Sequence, residues 1–403
     1  MWIAVRQKFH SWQTDPQRWN KLREGWFWQS IGLPFLATRL AAVVVMWFGR
    51  YYLPNPTYVR YTERGWVSSP HFLLDIWARW DALHYLSIIE QGYQPAADLS
   101  SQMSNVAFFP AYPYLVRLFT FLLPAGLVSR SVILVIGLAL SNLLFLAALA
   151  MLYRLVRDRV YDEAAARRTV LLVILFPAGF YFSAFYTESL FLFLTLLAFT
   201  AALDRRWWLA GLSAGLLTVT RAQGILIVVP LAWLYLDSIR WRLRNLRLEA
   251  LWLAFTPLPL AAHLAWLYTR TGDFFAPMTA QKAWGHQISN FRENVLGAFS
   301  YAGADVYKLN ILFLGCFLLL GLWALLKIPN SRAYGLFALL LPAANLFTGN
   351  YLGMTRYLAV VFPAFIALAA LLKPRELFWL AGVLFLCLQA AFWVGWVNLY
   401  WIA

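Results

Sequence analysis

The chain has 403 residues, of which 62% are hydrophobic and only 13% are charged, whereas a soluble globular domain has about half apolar and about a quarter charged residues. Many apolar stretches approach the roughly 20 residues that cross a bilayer, so the composition predicts an all-α polytopic membrane protein and argues against a transmembrane β-barrel. The net charge of +15 comes from short basic clusters between the apolar stretches, so nucleic-acid binding is not expected.

The basic clusters mark the cytoplasmic ends of the predicted helices, because cytoplasmic loops carry an excess of Lys and Arg. They lie at Arg6 to Arg23, Arg154 to Arg168, Arg205 and Arg206, Arg240 to Arg247, Lys327 to Arg332, and Lys373 to Arg375. If all are cytoplasmic, the spans between them must come in even numbers. The predicted spans meet this condition: about 32–53, 131–153, 169–184, 187–203, 207–221, 223–237, 249–269, 309–326, 333–349, 354–372 and 377–400. About eleven spans follow, the last one ends outside, and the shorter ones are expected to be broken or tilted.

The chain is expected to form one membrane domain over residues 1–403. Residues 1–31 are predicted to be a cytoplasmic segment rather than a signal peptide, because no early apolar core is followed by a cleavage site of small residues. The predicted outer segments are about 54–130 and about 270–308. Cys316 and Cys387 both lie inside apolar stretches, so no disulfide framework or CxxC metal motif is possible.

Two local patterns concern helix packing. The stretch 108–123 is apolar but contains Pro110, Pro113 and Arg117, and counting it as a span would place Arg154 to Arg168 outside. We therefore expect a helix that lies in or dips into the outer interface, with a full span as the alternative. Within 207–221, Gly211 and Gly215 are four residues apart and are expected to let two helices pack closely.

The segment from Phe72 to Tyr93 concentrates charge and aromatic rings in the first outer segment. Asp75 and Arg79 are four residues apart and can pair on a helix. Asp81 has no basic residue three or four positions away, and a carboxylate near the membrane without a partner is costly. Asp81 is therefore a candidate base; the alternative is a solvated carboxylate on the polar face of a helix.

Further polar residues are predicted on the same outer side. Glu188, Arg221 and Arg356 lie at the tips of three predicted hairpins, and Gln281, Lys282 and Trp284 lie in the second outer segment. Each has a structural alternative, such as a buried pair of Glu188 with Arg221 or a helix cap at Arg356. Basic residues are usually found on the cytoplasmic side of membrane proteins. Their common placement on the outer side therefore indicates that these residues have a function.

One base, several arginines and an opening toward lipid suit a particular reaction. Arginine matches phosphate oxygens, and an aspartate takes a proton from an attacking hydroxyl. The set predicts transfer of a sugar from a lipid phosphate to a hydroxyl. A lone carboxylate suits a single displacement with inversion, since a retaining route requires a nucleophile close by.

Six motifs resemble those of the PIG-V type mannosyltransferases, which are GT-C glycosyltransferases related to the enzyme that adds the second mannose of the GPI anchor. They are "WARWDALHYLSIIEQGY", "NVAFFPAYPYLVRL", "FPAGFYFSAFYTESLF", "WWLAGLSAGLLTVTRAQG", "QKAWG" and "MTRYLAVVFPAF", in order from about residue 72 to 366. Each motif alone is weak, whereas six in series are fairly specific.

The resemblance implies a GT-C type fold whose first outer loop carries the catalytic aspartate, here Asp81. It implies a polyprenyl-phosphate sugar donor, typically of mannose, and neither a metal nor another cofactor. The acceptor is left open as a lipid or a glycan, and membrane lipids are the other partners. The implied substrate-binding residues are Arg79, His84, Glu188, Arg221, Gln281, Trp284, Arg356 and Tyr357. Short loops and the lack of glycosylation sequons indicate a bacterial plasma membrane, with the active site facing outside.

Two other classes of function remain as alternatives. A transporter or lipid-sugar flippase would place ionisable residues near mid-membrane, and Arg39 is the one clearly intramembrane basic residue, expected to pair or to snorkel. A non-catalytic scaffold is the third class.

Overall fold

The computed structural model describes residues 25–53, 55, 67–286, 292, 296, 305–328, 332–347, 351 and 353–402. These residues form α-helices joined by turns and by short 3₁₀ or π-helical segments, and none of them lies in a β-strand. The predicted all-α class is therefore confirmed. Most of the predicted cytoplasmic segment, residues 1–24, lies outside the described residues.

The helices are numbered in chain order. From the N-terminal side they are α1 (Leu33–Tyr52), α2 (Asp81–Gln91), α3 (Ala111–Phe121), α4 (Arg130–Leu155), α5 (Glu163–Leu175), α6 (Glu188–Leu203) and α7 (Trp207–Thr218). They continue with α8 (Val228–Ser238), α9 (Leu258–Thr271), α10 (Asp305–Lys327), α11 (Arg332–Asn345), α12 (Met354–Leu358), α13 (Phe362–Leu371) and α14 (Arg375–Val397). Shorter segments include helical turns at Phe72–Asp75 and Ala276–Ala280, 3₁₀ turns at Gly179–Ser183, Ala222–Ile227 and Gln281–Trp284, and a π-helical turn at Trp28–Gly32.

The helices differ in whether they are long enough to cross a bilayer. In the described part of the chain, five segments are long and apolar enough: Trp28–Tyr52, Arg130–Val160, Leu248–Thr271, Val306–Lys327 and Arg375–Val397. Every predicted span contains a helix, but α7 has 12 residues and α8 has 11. At 1.5 Å per residue these two reach about 18 Å, less than the ~30 Å of the hydrocarbon layer. The 3₁₀ turn Ala222–Ile227 continues directly into α8, and whether the short spans are broken or tilted stays a prediction.

The first long helix begins earlier than predicted. The π-helical turn at Trp28–Gly32 continues directly into α1, so the helix extends a few residues into the segment predicted to be cytoplasmic. The reason is local: Trp28, Ile31 and Leu33 make the turn apolar enough to extend the helix.

The helix of the ambiguous stretch 108–123 is α3, with 11 residues. It is about 16 Å long and therefore too short for a full span. It packs on α4 through Tyr112, whose hydroxyl donates a hydrogen bond to the Gly137 carbonyl at 3.0 Å. Its other face exposes Leu118 and Phe121. This length and this exposed apolar face support the interfacial position over the full span.

Close packing at Gly211 and Gly215 joins α7 to the segment before α9 and to the first turn of α9. A Cβ atom added at Gly211 would lie 2.2 Å from the Trp252 carbonyl oxygen, and one at Gly215 would lie 3.1 Å from Pro259. The backbones approach this closely because both residues lack a side chain. The predicted close packing of two helices is confirmed.

Arg39 stabilises the break between α5 and α6. Its Nε donates to the Ser183 hydroxyl at 2.6 Å and its Nη2 to the Gly179 carbonyl at 2.9 Å, and the guanidinium lies over the Phe35 ring at 5.0 Å. Arg39 is only 8% exposed, so it does not snorkel, and these partners are neutral rather than acidic. The residue on which the transport alternative rested thus fixes a turn of the backbone.

The two ends of α6 lie near different charged residues. α6 runs from Glu188 to Leu203, and the next residue, Asp204, pairs with Arg159. The basic clusters around Arg159 and Arg205 therefore meet at one end, and Glu188 lies about 24 Å away at the other. The predicted placement of Glu188 opposite the basic clusters follows from this.

Replacing Gly211 by Ala tests the close packing. Gly211→Ala forces the Trp252 carbonyl to move, and overpacking of this kind costs about 1–3 kcal/mol. We expect a lower Tm in detergent solution. The matched control is Gly315→Ala in α10, where an added Cβ meets nothing within 4 Å and alanine favours the helix by about 1 kcal/mol. A Tm for Gly211→Ala equal to that of Gly315→Ala would contradict the packing.

Candidate active site

A cavity of ≈ 450 Å³ lies where the tips of the predicted hairpins meet the two segments predicted to lie outside. A volume in this range accommodates one small ligand or the head of a larger one. Six of the predicted site residues line it: Asp81, Arg221, Gln281, Trp284, Arg356 and Tyr357. They come from four separate parts of the chain, so the fold brings together residues that are far apart in the sequence.

Asp81 is held at the start of α2 by a strained turn. The preceding residue, Trp80, has φ 53° and ψ −114°, a conformation unfavourable for a side chain of this size. Tyr186 stabilises the turn, since its hydroxyl accepts from the Asp81 N–H at 3.1 Å and donates to the Arg79 carbonyl at 2.9 Å. As the first residue of α2, Asp81 also interacts favourably with the positive end of the helix dipole.

The backbone just before this turn is bound to two other parts of the fold. The Phe185 N–H donates to the Trp77 carbonyl at 2.8 Å, and the Trp396 indole N–H donates to the Ile76 carbonyl at 2.6 Å. The turn therefore rests on the α5–α6 break and on α14, which leaves the position of Asp81 little freedom.

Four charged side chains form an alternating chain along the cavity. The Asp81 Oδ2 lies 2.7 Å from the Arg356 Nη1, and the Arg356 Nε lies 3.3 Å from the Glu188 Oε1. The same Glu188 oxygen accepts from the Arg221 Nη2 at 3.0 Å. We call Asp81, Arg356, Glu188 and Arg221 the charge chain; its formal charge is zero.

Asp81 thus has a basic partner that the local sequence did not reveal, and the expectation of an unpartnered carboxylate was wrong. Arg356 is 275 positions away along the chain, beyond the reach of any helical spacing rule. Glu188 and Arg221 do form the buried pair that was weighed as an alternative. That pair does not exclude a function, because Arg221 also lines the cavity.

Burial makes the members of the charge chain depend on one another. Glu188 is 0% exposed, and the side chains of Arg356 and Asp81 are 9% and 15% exposed. A charge this deeply buried is stable only when it is paired, and removing one member leaves its partners uncompensated. Glu188 lies behind the wall and joins the two arginines, so Asp81 is the carboxylate that faces the cavity.

The two arginines differ in how fully their nitrogens are used. The Arg356 Nη1 donates to Asp81 at 2.7 Å and its Nη2 to the Tyr357 hydroxyl at 3.2 Å, whereas its buried Nε lies 3.3 Å from the Glu188 Oε1 without making a hydrogen bond. Arg221 uses Nη2 for Glu188, but its buried Nη1 has no hydrogen-bond partner among the described residues. Both guanidinium groups lie over the Tyr357 ring, at 4.7 Å for Arg221 and 5.0 Å for Arg356. A buried donor without a partner is suited to a ligand oxygen.

His84 supports the aromatic wall of the cavity from behind. Its ring stacks on Phe108 with centroids 4.6 Å apart and meets Trp284 edge-on at 5.4 Å. Burial lowers the pKa of His84, and the nearby Asp81 charge opposes this shift. Gln281 joins the two outer segments, since its Nε2 donates to the Ala107 carbonyl at 3.3 Å. His84 is therefore a supporting residue, whereas Gln281 and Trp284 face the cavity.

Arg79 is not brought to the cavity, which corrects its prediction as a substrate-binding residue. Its side chain is 1% exposed and pairs with Asp75 at 2.6 Å. Asp75 also accepts from the Ser68 N–H at 2.8 Å. The predicted Asp75–Arg79 pair is confirmed, although Asp75 ends a short helix and Arg79 lies in the turn that follows it. This buried ion pair fixes the loop that precedes Asp81.

Several residues that line the cavity were not predicted: Tyr181, Tyr186, Gln223, His286, Asn345 and Trp401. Gln223 and the two tyrosines lie within quoted motifs, and His286 follows "QKAWG" directly. For Asn345 and Trp401 the sequence offered no signal. Trp401 meets Trp80 edge-on at 4.4 Å, so residues after α14 form part of the wall.

His286 is uncharged at neutral pH. Burial, reinforced by the Arg356 charge and opposed by Asp81, lowers its pKa from 6.5 to about 4. It therefore presents a neutral imidazole to the cavity. Over the described ranges, no three His, Cys, Asp or Glu side chains are grouped so that they could hold a metal ion.

Comparison with known proteins finds one family model that matches part of the chain. Residues 68–253, just under half of the chain, match the family model described as Mannosyltransferase (PIG-V). The match confirms the resemblance over this range, which contains Asp81, Glu188 and Arg221, whereas Arg356 lies beyond it.

Relatives in animals and fungi match a similar part. GPI alpha-1,6-mannosyltransferase 2 of Mus musculus is 37% identical over 152 residues, which cover 37% of this chain and 29% of the relative. The Homo sapiens protein of the same name is 33% identical over 154 residues, covering 38% and 30%. GPI mannosyltransferase 2 of Cryptococcus neoformans is 31% identical over 152 residues, covering 36% and 34%. The matched part thus spans about a third of these relatives. A crystal structure of the Archaeoglobus fulgidus oligosaccharyltransferase aligns with 93% of this chain and 56% of that chain, at TM-score 0.44 and 13% identity.

The low pKa of His286 predicts a pH-dependent stability. The unfolded chain takes up a proton on His286 below about pH 6.5, but the folded protein does so only near its pKa of about 4. The unfolded state therefore binds more protons in this window, and stability falls as the pH is lowered from about 6.5 to about 4. In His286→Gln we expect a smaller drop in Tm between pH 7 and pH 5 than in the wild type. Identical drops in the two proteins would show that His286 is not buried in this way.

Proposed function

We propose that this chain, which matches the PIG-V mannosyltransferases over residues 68–253, is a membrane glycosyltransferase that uses a polyprenyl-phosphate donor. It transfers a sugar, for which mannose is the family's expectation, to a hydroxyl of a lipid-linked or glycan acceptor. The observation that carries the proposal is the charge chain, which places a carboxylate and an incompletely used guanidinium on one cavity.

Arg221 is the group proposed to bind the donor phosphate. Its Nη1 is buried without a partner in the described part of the structure, and it lines the cavity. A phosphate oxygen would satisfy this donor, and a charge-assisted hydrogen bond would strengthen as the leaving phosphate gains charge. Lys282 also lines the cavity and adds positive charge there.

Asp81 is proposed as the base. Its carboxylate takes the proton from the acceptor hydroxyl as that oxygen attacks the anomeric carbon of the sugar. The bond from the anomeric carbon to the phosphate oxygen breaks, and its electron pair leaves with the polyprenyl phosphate. Because Glu188 lies behind the arginines, one carboxylate faces the cavity, which suits a single displacement with inversion.

Arg356 is proposed as a positioning residue rather than a phosphate ligand. All three of its nitrogens lie within reach of protein groups, namely Asp81, Glu188 and Tyr357. Its Nη1 holds the Asp81 carboxylate in one orientation. The carboxylate therefore needs no side-chain rotation before it accepts the proton.

The cavity is proposed to face the outside of the membrane. Glu188 lies about 24 Å from the basic clusters around Arg159, at the opposite end of α6, and basic clusters mark the cytoplasmic side. An outer site at the level of the lipid head groups admits a donor whose tail stays in the bilayer. The expectation of a bacterial plasma membrane is part of this proposal.

The role of Asp81 predicts the outcome of a conservative replacement. Asp81→Asn keeps the shape and removes the base, so we expect sugar transfer from polyprenyl-phosphate mannose to fall at least about 100-fold. Because this change leaves the charge chain with one uncompensated positive charge, the amount of folded protein in the membranes is measured as well, and transfer is compared per amount of folded protein.

The control for Asp81→Asn is Glu90→Gln, which removes a carboxylate near the other end of the same helix. Glu90 pairs with Arg130 at the surface and is not among the residues that line the cavity. Near-normal transfer is expected for it. Transfer by Asp81→Asn within a few-fold of the wild type would remove Asp81 from the role of base.

The two arginines should respond differently to replacement by lysine. Arg221→Lys turns a planar fork into a point charge, so we expect KM for the donor to rise about tenfold or more. Arg356→Lys disturbs the orientation of Asp81, so kcat should fall while KM changes little. Steady-state kinetics on both purified variants measure this. If Arg221→Lys kept the wild-type KM, the phosphate would have to bind elsewhere.

A further inference from the structure

Two amide side chains on the cavity wall have no part in the chemistry described so far. Gln223 lies in the 3₁₀ turn Ala222–Ile227, and Asn345 is the last residue of α11. The Gln223 Nε2 donates to the Asn345 Oδ1 at 2.7 Å, and the Asn345 Nδ2 donates to the Leu341 carbonyl at 2.9 Å. Both residues line the cavity, and Asn345 is 2% exposed.

The hydrogen bonds fix which way each amide faces. Because a carbonyl can only accept, the Leu341 carbonyl orients the Asn345 amide so that its oxygen meets Gln223. Gln223 must then present its NH₂ group to Asn345. Its Oε1 and its second N–H hydrogen have no hydrogen bond to another described residue. One acceptor and one donor of a pre-oriented amide are thus available at the wall.

The position of Gln223 relative to Arg221 indicates what this amide meets. Two residues separate their Cα atoms by at most about 7 Å. Gly224 keeps the turn close to the end of α7, where an added Cβ would lie 2.3 Å from the Leu217 carbonyl oxygen. If the donor phosphate binds Arg221, the sugar attached to that phosphate lies within reach of Gln223.

We propose that Gln223, oriented by Asn345, is a specificity subsite that binds a hydroxyl group of the sugar of the donor. The inference rests on the proposed function. An amide offers a hydroxyl both a donor and an acceptor, and a site built to pair with a hydroxyl disfavours a sugar that lacks it. The alternative is that the hydrogen bond between Gln223 and Asn345 only connects the turn before α8 to α11 and has no contact with substrate.

Kinetic measurements that combine variants of Gln223 with modified donor sugars distinguish these two possibilities. The donors are polyprenyl-phosphate mannose and a panel in which the sugar lacks one hydroxyl at a time. The enzymes are the wild type, Gln223→Leu and Gln223→Met, the last of which keeps the unbranched shape if the leucine variant fails to fold. For one donor of the panel we expect the wild type to have a kcat/KM about tenfold lower than with polyprenyl-phosphate mannose. In the two Gln223 variants the same pair of donors should differ by no more than about twofold.

The matched control is Gln389→Leu in α14. Gln389 is another buried amide whose Nε2 donates to backbone carbonyls, those of Ile174 and Phe176, and it is not among the cavity-lining residues. Gln389→Leu therefore removes side-chain hydrogen bonds that connect two parts of the fold but lie outside the cavity. We expect the wild-type pattern of discrimination across the panel in this variant, whatever its overall rate.

Each outcome decides between the claims. If the wild type and the Gln223 variants discriminate equally across the whole panel, or if the wild type discriminates against none of the donors, the subsite is overturned while the glycosyltransferase function stands. If the wild type transfers sugar from no polyprenyl-phosphate donor, the proposed function fails, and the subsite fails with it.

Discussion

The fold depends on how four buried charges neutralise one another. Asp81, Arg356, Glu188 and Arg221 alternate in sign, and Glu188 has no contact with solvent. In surroundings this apolar, an isolated charge would be expensive, so each side chain requires its neighbours. The hairpin tips that carry them must therefore meet at one place. The cavity is the space that remains where the tips converge, and it is lined by Asp81 and by both arginines of the charge chain.

The surroundings of the charge chain are correspondingly rigid. Tyr186 spans the strained turn at Trp80, and Arg39 fixes the break between α5 and α6 that places Tyr186. Strain of this kind persists only where many contacts over-determine the backbone. The benefit for the proposed reaction is that Asp81 and Arg221 are oriented before substrate arrives, so that little ordering remains during the chemical step.

The family match and the geometry support the proposal from different directions. The match ends at residue 253 and contains Asp81, Glu188 and Arg221. Arg356, Gln281 and Trp284 lie beyond it, and only the structure brings them to the same cavity. The proposed distinction between Arg221 and Arg356 comes from the groups that their nitrogens contact in the structure. The two residues looked equivalent in the sequence, since each is a single arginine at a hairpin tip.

The sequence by itself determined the all-α membrane class, the approximate positions of the long helices, the Asp75–Arg79 pair and the common side of Asp81, Glu188, Arg221 and Arg356. These follow from local properties: runs of apolar residues, helical spacing and the distribution of basic clusters. Only the tertiary structure decided that Arg356 partners Asp81, that Arg79 is buried away from the cavity, and that Gln223 and Asn345 share a hydrogen bond. The physical reason is that partners so far apart along the chain are chosen by how the helices pack. That choice depends on the shapes of many side chains together and leaves no periodic signal in any one segment.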